Sequence, residues 1–463
     1  MSFIKKIGLV GLGLTLGIAM SLHFAARAEN ETLSTALPIE DLRAFTEVFG
    51  RIKSDYVEAV SDKKLITGAI NGMLNGLDPH STYLDADAFK ELNDTTNGEF
   101  GGLGIEVGME DGLIKVISPI EDTPAFEAGI KSGDLIVKLD ETLVKGLSLS
   151  EAVTRMRGKA GSKITLTVTR KNETKLLTFT LTRAVIKVVS VKSKLIESGY
   201  GFVRITQFQE KTGENLATAI DELYKKNQGA LKGLVLDLRN DPGGLLTGAV
   251  GVSAAFLNKD ALVVYTEGRT EDAKMRLTAN PQNYARGSSD YLAKLPVAVK
   301  NVPLIVLVNG GSASASEIVA GALQDHKRAI IMGTQTFGKA SVQTILPLGN
   351  NAAIKLTTAR YYTPNGRSIQ AKGIVPDILV EDPSIPENGS MLNLREADLG
   401  RHLVNDKIGD EETSAPKKSP QLTPRNNKDE GEKFVPQELG SKDDYQLNQA
   451  LNLLKGMQIL QGK

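Results

Sequence analysis

Pro303-Leu-Ile-Val-Leu-Val308, then Asn309-Gly-Gly-Ser-Ala-Ser314-Ala-Ser-Glu317, then Ile318-Val-Ala320 is the stretch on which the reading of this chain turns. An unbroken apolar run bounded by turn residues fits a strand buried on both faces, as in a parallel sheet. The glycines make a tight turn, and the apolar residues that resume at Ile318 open a helix. Such a strand-turn-helix unit indicates an α/β layer. The turn presents a serine hydroxyl beside free backbone N–H groups and the positive end of a helix, which is the geometry acyl transfer needs. The same spacing has a plain structural use, because Ser314 with Glu317 fits a capping box. Spacing leaves both uses open, and does not choose among Ser312, Ser314 and Ser316.

Working outward, strands at Gly233 to Leu238 and Ala329 to Met332 alternate with helical stretches, so residues 185–381 read as one α/β domain. The first of these strands runs through Asp237 and Arg239, a pair read as structural, into Asn240-Asp241-Pro242-Gly243-Gly244. Glycines there let the backbone approach a ligand and can aim N–H groups at an oxyanion, although an ordinary strand-to-helix turn has the same composition.

A serine is a poor nucleophile until a base takes its proton. Only four histidines exist, His23, His80, His326 and His402. His326 lies at the far end of the Ser314 helix, out of reach along its own axis. His80, in the turn Leu77-Asp-Pro-His-Ser-Thr-Tyr-Leu84, reads as a hydrogen-bonded turn residue more readily than a catalytic one. Lysine remains, and Phe337-Gly-Lys339-Ala-Ser-Val-Gln343 supplies one after a strand. An ordinary lysine, with pKa about 10.4, is neutral only about four times in ten thousand at pH 7. Burial among Phe337, Ala340 and Val342 would lower that pKa by about 3 to 5 units. In an extended segment Lys339, Ser341 and Gln343 share a face, so Gln343 can hold the amine without adding negative charge. A working base then needs to stand about 2.6–3.2 Å from the hydroxyl, or slightly more at rest. Gly333 to Lys339 also matches most of a phosphate-cradling loop, but Ala340 stands where a magnesium-binding hydroxyl belongs, and Val342 to Leu346 reads as a strand where that loop needs a helix.

Residues 98–184 change to short β runs (Leu103 to Val107, Leu113 to Val116, Leu135 to Leu139, Ile164 to Val168, Leu176 to Leu181) with one helix, Ser150 to Arg157, stopped by Gly158. In this module Gly101-Gly102-Leu103-Gly104-Ile105 could expose successive N–H groups to a peptide carboxylate while the strand it opens pairs with the peptide; a bulge or plain loop is the other reading. Residues 29–97 carry apolar residues at helical spacing (Leu42, Phe45, Val48, Phe49, Ile52; Leu65, Ile66, Ile70, Met73, Leu74). Lys5 and Lys6, the apolar run Ile7 to Leu22 and Ala26-Arg-Ala28 make residues 1–28 an expected export signal, with an uncleaved anchor as the alternative. The expected location is the bacterial periplasm. Residues 382–440 are polar, with Asp410 to Lys433 expected to be a disordered linker. Residues 441–463 close the chain with a helix carrying Leu447, Ala450, Leu451 and Leu454 on one face, available for the core or a second subunit.

Lys plus Arg and Asp plus Glu each number 55 in 463 residues, so no basic stripe suggests nucleic acid. Cysteine is absent, which excludes disulfides, thiolate nucleophiles and sulfur-ligated zinc. Neither cofactor nor metal is expected. The architecture as a whole is multidomain α+β: a helical region, a β module, an α/β core, a polar linker and a terminal helix.

Together these segments resemble the carboxyl-terminal processing peptidases, also called tail-specific proteases. Asp78-Pro-His-Ser-x-Tyr83-Leu84 looks like that family's hallmark, Pro124-Ala-x-x-Ala-Gly-Ile-x-x-Gly133-Asp134 is similar to PDZ domains, and the segments around Ser314 and Lys339 resemble its two active-site blocks. The resemblance implies Ser314 as nucleophile, Lys339 as base, Gln343 as the residue positioning it, and an oxyanion hole from the amides of Ala315, Gly243 and Gly244. It implies a PDZ module that binds apolar carboxyl-terminal tails, a possible adaptor protein, homo-oligomers, and membrane association if the amino terminus stays uncleaved. Ser316 replaces a more usual Ala, and Asp241 a more usual Asn. An inert peptide-binding scaffold, with a solvated Lys339 remote from Ser314, is the reading to test against.

Overall fold

A computed structural model describes residues 39–461 apart from 111, 121, 172, 174, 188, 286, 288, 382, 384–394 and 407–438. The expected signal segment and the stretch Asp410 to Lys433 lie outside the described residues. Among those described, no helix is long and apolar enough to cross a membrane.

The described residues divide into two compact units, 39–70 and 71–461. In the first, α1 (Ile39–Asp55) and the opening turns of α2 (Asp62–Asn75) realise the helical spacing. No residue of α1 is buried, and Leu42, Phe45, Val48 and Ile52 are exposed. Lys53 Nζ meets Asp62 Oδ1 at 2.7 Å.

The second unit begins with β1 (Thr82–Leu84) and α3 (Ala86–Asn97), followed by β2 (Glu99–Gly102). A β module then runs β3 (Ile105–Glu110), β4 (Leu113–Pro119), α4 (Pro124–Glu127), β5 (Leu135–Leu139), β6 (Thr142–Leu143), α5 (Leu149–Met156), β7 (Lys163–Thr169) and β8 (Leu177–Thr182). Its sheet order is β3-β4-β5-β7-β8, which leaves β3 on an edge. Ile164, Leu166 and Val168 alternate into its core, as the period of two requires. A capping box of Ser148 with Glu151 opens α5. Then β9 (Ala184–Lys187) pairs back with β2.

The core follows as β10 (Val191–Glu197), β11 (Tyr200–Ile205), α6 (Thr212–Asn227), β12 (Gly233–Asp237), α7 (Leu246–Phe256), β13 (Leu262–Gly268), β14 (Arg276–Thr278), α8 (Pro281–Tyr284), β15 (Leu304–Val308), α9 (Ala315–Asp325), β16 (Ile330–Gly333), β17 (Ser341–Pro347), β18 (Ala353–Tyr362), β19 (Ile378–Leu379) and α10 (Tyr445–Gln461). One sheet has the order β10-β11-β12-β15-β16-β19, parallel from β11 onward. Every residue of β12 and β15 is buried because both faces are covered. Leu234, Leu236, Val306 and Val308 pack under α6, α7 and α9, whereas the alternating Val235, Ile305 and Leu307 pack under α10. A second, antiparallel sheet joins β1, β18, β13 and β14, with β17 on β18.

Two expectations become specific. The apolar face of the last helix, Leu447, Ala450, Leu451 and Leu454, is buried on the chain's own sheet, so it is not the free surface a second subunit would need. Part of the expected linker is built into the fold: the turn Glu396–Asp398 carries Glu396 fully buried, because His80 and Gln370 give its carboxylate partners that average composition cannot reveal.

Arg239 ties α10 to the end of β12. Its guanidinium donates to both oxygens of Asp237 at 2.9 Å, to Asp444 at 3.0 and 2.6 Å, and to Gln446 at 3.0 Å. Asp444 also accepts the Leu447 N–H at 3.0 Å, capping the helix. Replacing one member of a buried pair strands the other, at a cost of about 3–5 kcal/mol. Asp444→Ala is expected to lower stability by that order, read as a fall in the urea midpoint by circular dichroism; an unmoved midpoint would mean Asp237 suffices for Arg239.

Candidate active site

The segments singled out in the sequence meet at the carboxyl ends of β12, β15 and β16, where open α/β sheets hold ligands. Of the three serines after β15, two are engaged in structure. Ser312 Oγ donates to the Leu238 carbonyl at 2.8 Å and accepts the Asn309 N–H at 3.0 Å, and Ser316 Oγ donates to the Asp241 carbonyl at 2.9 Å. Ser314 alone is half-buried, and no ordinary side-chain hydrogen bond holds its hydroxyl at the helix cap. Its backbone is held at φ 54°, ψ −110°, a conformation that a non-glycine residue adopts only when its surroundings impose it. The geometry therefore separates Ser314 from its neighbours, which spacing could not do.

Glu317 imposes that conformation. Its fully buried carboxylate supplies one half of the capping box foreseen from the sequence, accepting the Ser314 N–H, and does more. Oε2 accepts the Ser314 N–H at 2.9 Å and the Lys339 N–H at 2.9 Å; Oε1 accepts the Gly338 N–H at 2.7 Å and the Thr336 hydroxyl at 2.5 Å. Ser314 and Lys339 are thus joined through one oxygen atom, their backbone nitrogens no more than two hydrogen-bond lengths apart. Tyr361 on β18 adds a second link, its hydroxyl lying 3.1 Å from the Ser314 carbonyl and 2.5 Å from that of Lys339. These contacts also dispose of the phosphate loop: the N–H groups of Gly338 and Lys339 that would cradle a phosphate are taken, and the following segment is the strand β17.

Burial, with the nearby Lys355 ammonium as the second cause, pushes the Lys339 amine down to about 8 against the pull of Glu396, Glu317 and Asp78. Among the described residues its one hydrogen-bond partner is Gln343 Oε1, at 2.6 Å. The amine is therefore not hydrogen-bonded to Ser314 Oγ in this state, and the short contact expected of a working dyad is not closed here. Gln343 is itself fixed: Nε2 donates to Ser341 Oγ at 3.0 Å and Thr357 Oγ1 at 3.1 Å.

Behind Gln343 lies a layer the sequence reading missed. Thr357 donates to Asp78 at 3.1 Å, and Asp78 also accepts from the Ser81 hydroxyl at 2.7 Å and the N–H groups of His80 and Ser81. His80 Nε2 bonds Glu396 at 2.8 Å, Glu396 accepts from Gln370, and Gln370 accepts the Ala340 N–H at 2.9 Å. The turn Asp78 to Ser81 thus braces the lysine segment, and His80 is a bonded turn residue as read. Only the clustering of Asp, His and Ser in one short turn could have flagged it. His326 caps the far end of α9, with Nε2 2.7 Å from the Leu262 carbonyl.

The second glycine loop lies against the first. A methyl group on Gly243, at φ 95°, would come within 2.9 Å of Ser314 Cβ and 2.8 Å of the Ala315 nitrogen, so only glycine fits. The three expected oxyanion donors differ: the Gly243 N–H is engaged by Asp241 Oδ1 at 2.9 Å, while the N–H groups of Gly244 and Ala315 have no backbone acceptor among the described residues. In the β module, Gly101 and Gly102 lie in β2 and Ile105 opens β3; Gly104, at φ 77°, leaves no room for a side chain beside Thr123. The N–H groups of Leu103 and Gly104 donate to no backbone acceptor among the described residues.

Three family models match in chain order: "Activating protease CtpB N-terminal domain" over residues 19–88, "PDZ domain" over 101–198 and "Peptidase family S41" over 199–380. A PDZ domain followed by a peptidase domain defines the class. The carboxy-terminal-processing protease of Bartonella bacilliformis is 47% identical over 444 residues, 95% of this chain and 94% of that protein. Carboxy-terminal processing protease CtpA of Bacillus subtilis is 38% identical over 338 residues, 73% of this chain and 68% of that protein. The photosystem II D1 C-terminal processing protease, a solved structure, aligns at 29% identity and TM-score 0.42 over 76% of this chain and 92% of that one. The chain belongs to the carboxy-terminal processing protease family.

Glu317→Gln tests the brace. Its amide would turn a donor toward donors, leaving at least one buried N–H or hydroxyl unserved at roughly 1–3 kcal/mol. A lower denaturation midpoint with a fall in turnover is expected; unchanged values for both would remove Glu317 from the site's support.

Proposed function

We propose that this chain is a serine endopeptidase in which Ser314 attacks a peptide carbonyl near a protein's carboxyl end and Lys339, as the neutral amine, takes the serine proton. The acyl-enzyme is then hydrolysed by a water that Lys339 deprotonates, and the N–H groups of Gly244 and Ala315 receive the oxyanion. Gln343 aims the amine. One observation carries this reading: a single buried carboxylate oxygen accepts both the Ser314 and the Lys339 N–H, so the nucleophile and base candidates share one fixed point. Closing the dyad then needs the amine to swing from Gln343 toward the hydroxyl, consistent with the looser contacts of unliganded enzymes. The inert-scaffold alternative called for a solvated lysine far from Ser314; the burial of the amine and the carboxylate oxygen shared by the two backbones support the peptidase reading over it.

The PDZ module would take the free carboxylate of an apolar tail on the Leu103 and Gly104 N–H groups, the tail pairing with the edge strand β3. Exported proteins of the periplasm are the proposed substrates, with self-association, an adaptor and an inner-membrane attachment as further parts of this proposal.

Ser314→Ala should abolish cleavage of an unstructured polypeptide with an apolar carboxyl terminus, by at least about a thousandfold, while the purified chain still binds that tail; undiminished turnover would end the assignment. Because the neutral amine is the active form, kcat/KM at acid pH should rise along a limb of about tenfold per pH unit as the amine, pushed down to about 8, loses its proton. Gln343→Glu adds a negative charge beside the ammonium and should move that limb upward by about 1 to 3 units. A pH profile in which the limb does not move would separate Lys339 from the titration.

A further inference from the structure

Asp241 begins the turn that carries Gly243 and Gly244, and it is completely buried. Its carbonyl fastens this turn to the Ser314 turn, accepting the Ala313 N–H at 3.0 Å and the Ser316 hydroxyl at 2.9 Å. Its side chain is served on one side only. Oδ1 accepts the Gly243 N–H at 2.9 Å, whereas Oδ2 has no hydrogen-bond partner among the described residues. Glu317, in the first turn of α9, is the contrast: both of its oxygens meet two donors each. A buried carboxylate spreads its charge over two oxygens and needs donors on both, and a buried polar atom without one calls for an explanation. A carboxylic acid carries no charge to satisfy.

The surroundings compensate that charge only in part. The Gly243 N–H, the Ser316 hydroxyl on α9 and Arg204 on β11 favour the carboxylate, while burial and Asp237, at the end of β12, oppose it. Burial is the leading cause and pushes the group up to about 7.

We propose that Asp241 is a positioning residue that acts in its carboxylic-acid form, holding Gly243 against Ser314 through Oδ1, and that losing its proton to solvent switches the site off. Ionisation places a full negative charge one hydrogen bond from the Gly243 amide and one residue from the Gly244 N–H. That is the neighbourhood in which the oxyanion must grow, and like charges there raise the barrier. This inference rests on the Ser314 and Lys339 reading. It adds a second requirement of opposite sign: the base must have lost its proton while Asp241 keeps its own. Asp241 loses its proton near 7 and Lys339 near 8, so the active form is a minority species, most populated between the two, and kcat/KM follows a bell with a falling alkaline limb.

The test is the pH profile of kcat/KM for the full chain and for Asp241→Asn, with tail cleavage as readout. An amide keeps the Oδ1 acceptor and cannot ionise, so the variant should lose the alkaline limb, retain the acidic limb of Lys339, and exceed the parent by about tenfold or more at the alkaline end. An alkaline limb that persists in Asp241→Asn, a folded variant inactive at every pH, or a parent without an alkaline limb overturns the proposal. If the variant does not fold, infrared spectra of the parent labelled with 13C-aspartate decide: a buried aspartic-acid carbonyl band at pH 6 that fades by pH 9 is expected, and its absence at pH 6 overturns the proposal. Turnover by Ser314→Ala would instead defeat the underlying mechanism, whatever the alkaline limb does.

Discussion

The whole site hangs on one buried carboxyl group. Glu317 lies in the first turn of α9, where the helix's unpaired N–H groups and positive end favour negative charge. Burial nevertheless opposes its ionisation and pushes it up to about 7. What offsets that opposition is a full set of four donors, three of them backbone N–H groups from two chain segments more than twenty residues apart. The interaction runs both ways. The donors favour the charged form against burial, and the carboxyl group fixes the turn after β15 to the segment before β17, which no sheet ladder joins directly. Its charge also pulls Lys339 toward the ammonium form, so the lowered amine pKa exists because burial and Lys355 outweigh three carboxylates.

That balance explains the use of an amide next to the amine. A carboxylate at Gln343 would add a fourth pull toward the charged form. An amide accepts the Nζ–H equally well and has an NH2 left to anchor itself on Ser341 and Thr357. Thr357 passes the constraint to Asp78, which places the loop before β1 in the support of a site hundreds of residues away in sequence. The pairing of β1 with β18, Thr82 opposite Lys355, makes this reach possible.

Much of this was legible because it is local. The unbroken apolar runs at Leu304–Val308 and Gly233–Asp237 could only be doubly buried strands, and the spacing of Leu447, Ala450, Leu451 and Leu454 marked a face that the fold buries. Lys339, Ser341 and Gln343 fell on one side of an extended segment, as alternation demands. The illegible parts are long-range. Nothing near Tyr361 indicates that its hydroxyl reaches the Ser314 and Lys339 carbonyls, and nothing in a polar stretch of Pro, Glu and Asn identifies Glu396 as a buried partner of His80. Such contacts depend on which elements become neighbours, and local propensity does not carry that information. The choice of Ser314 over Ser312 and Ser316 was likewise hidden, because it depends on which hydroxyls find carbonyls on the β12 loop.

That loop shows how unpaired donors come to exist in an otherwise satisfied site. The ends of β12 and β15 are held by their parallel register, Asp237 opposite Leu307. Beyond it Asn240 and Asn309 exchange hydrogen bonds, Asn309 accepting the Asn240 N–H and donating to its side-chain oxygen, both at 2.9 Å. The Ala313 N–H and Ser316 hydroxyl both go to Asp241, and Arg239 is clamped from the other face by Asp444. Each contact removes a freedom the two turns would need to fold onto each other and bury their remaining amides. Among the described residues the Gly244 and Ala315 N–H groups find no backbone acceptor, and each of these bonds restricts the movements by which the two turns could pair them.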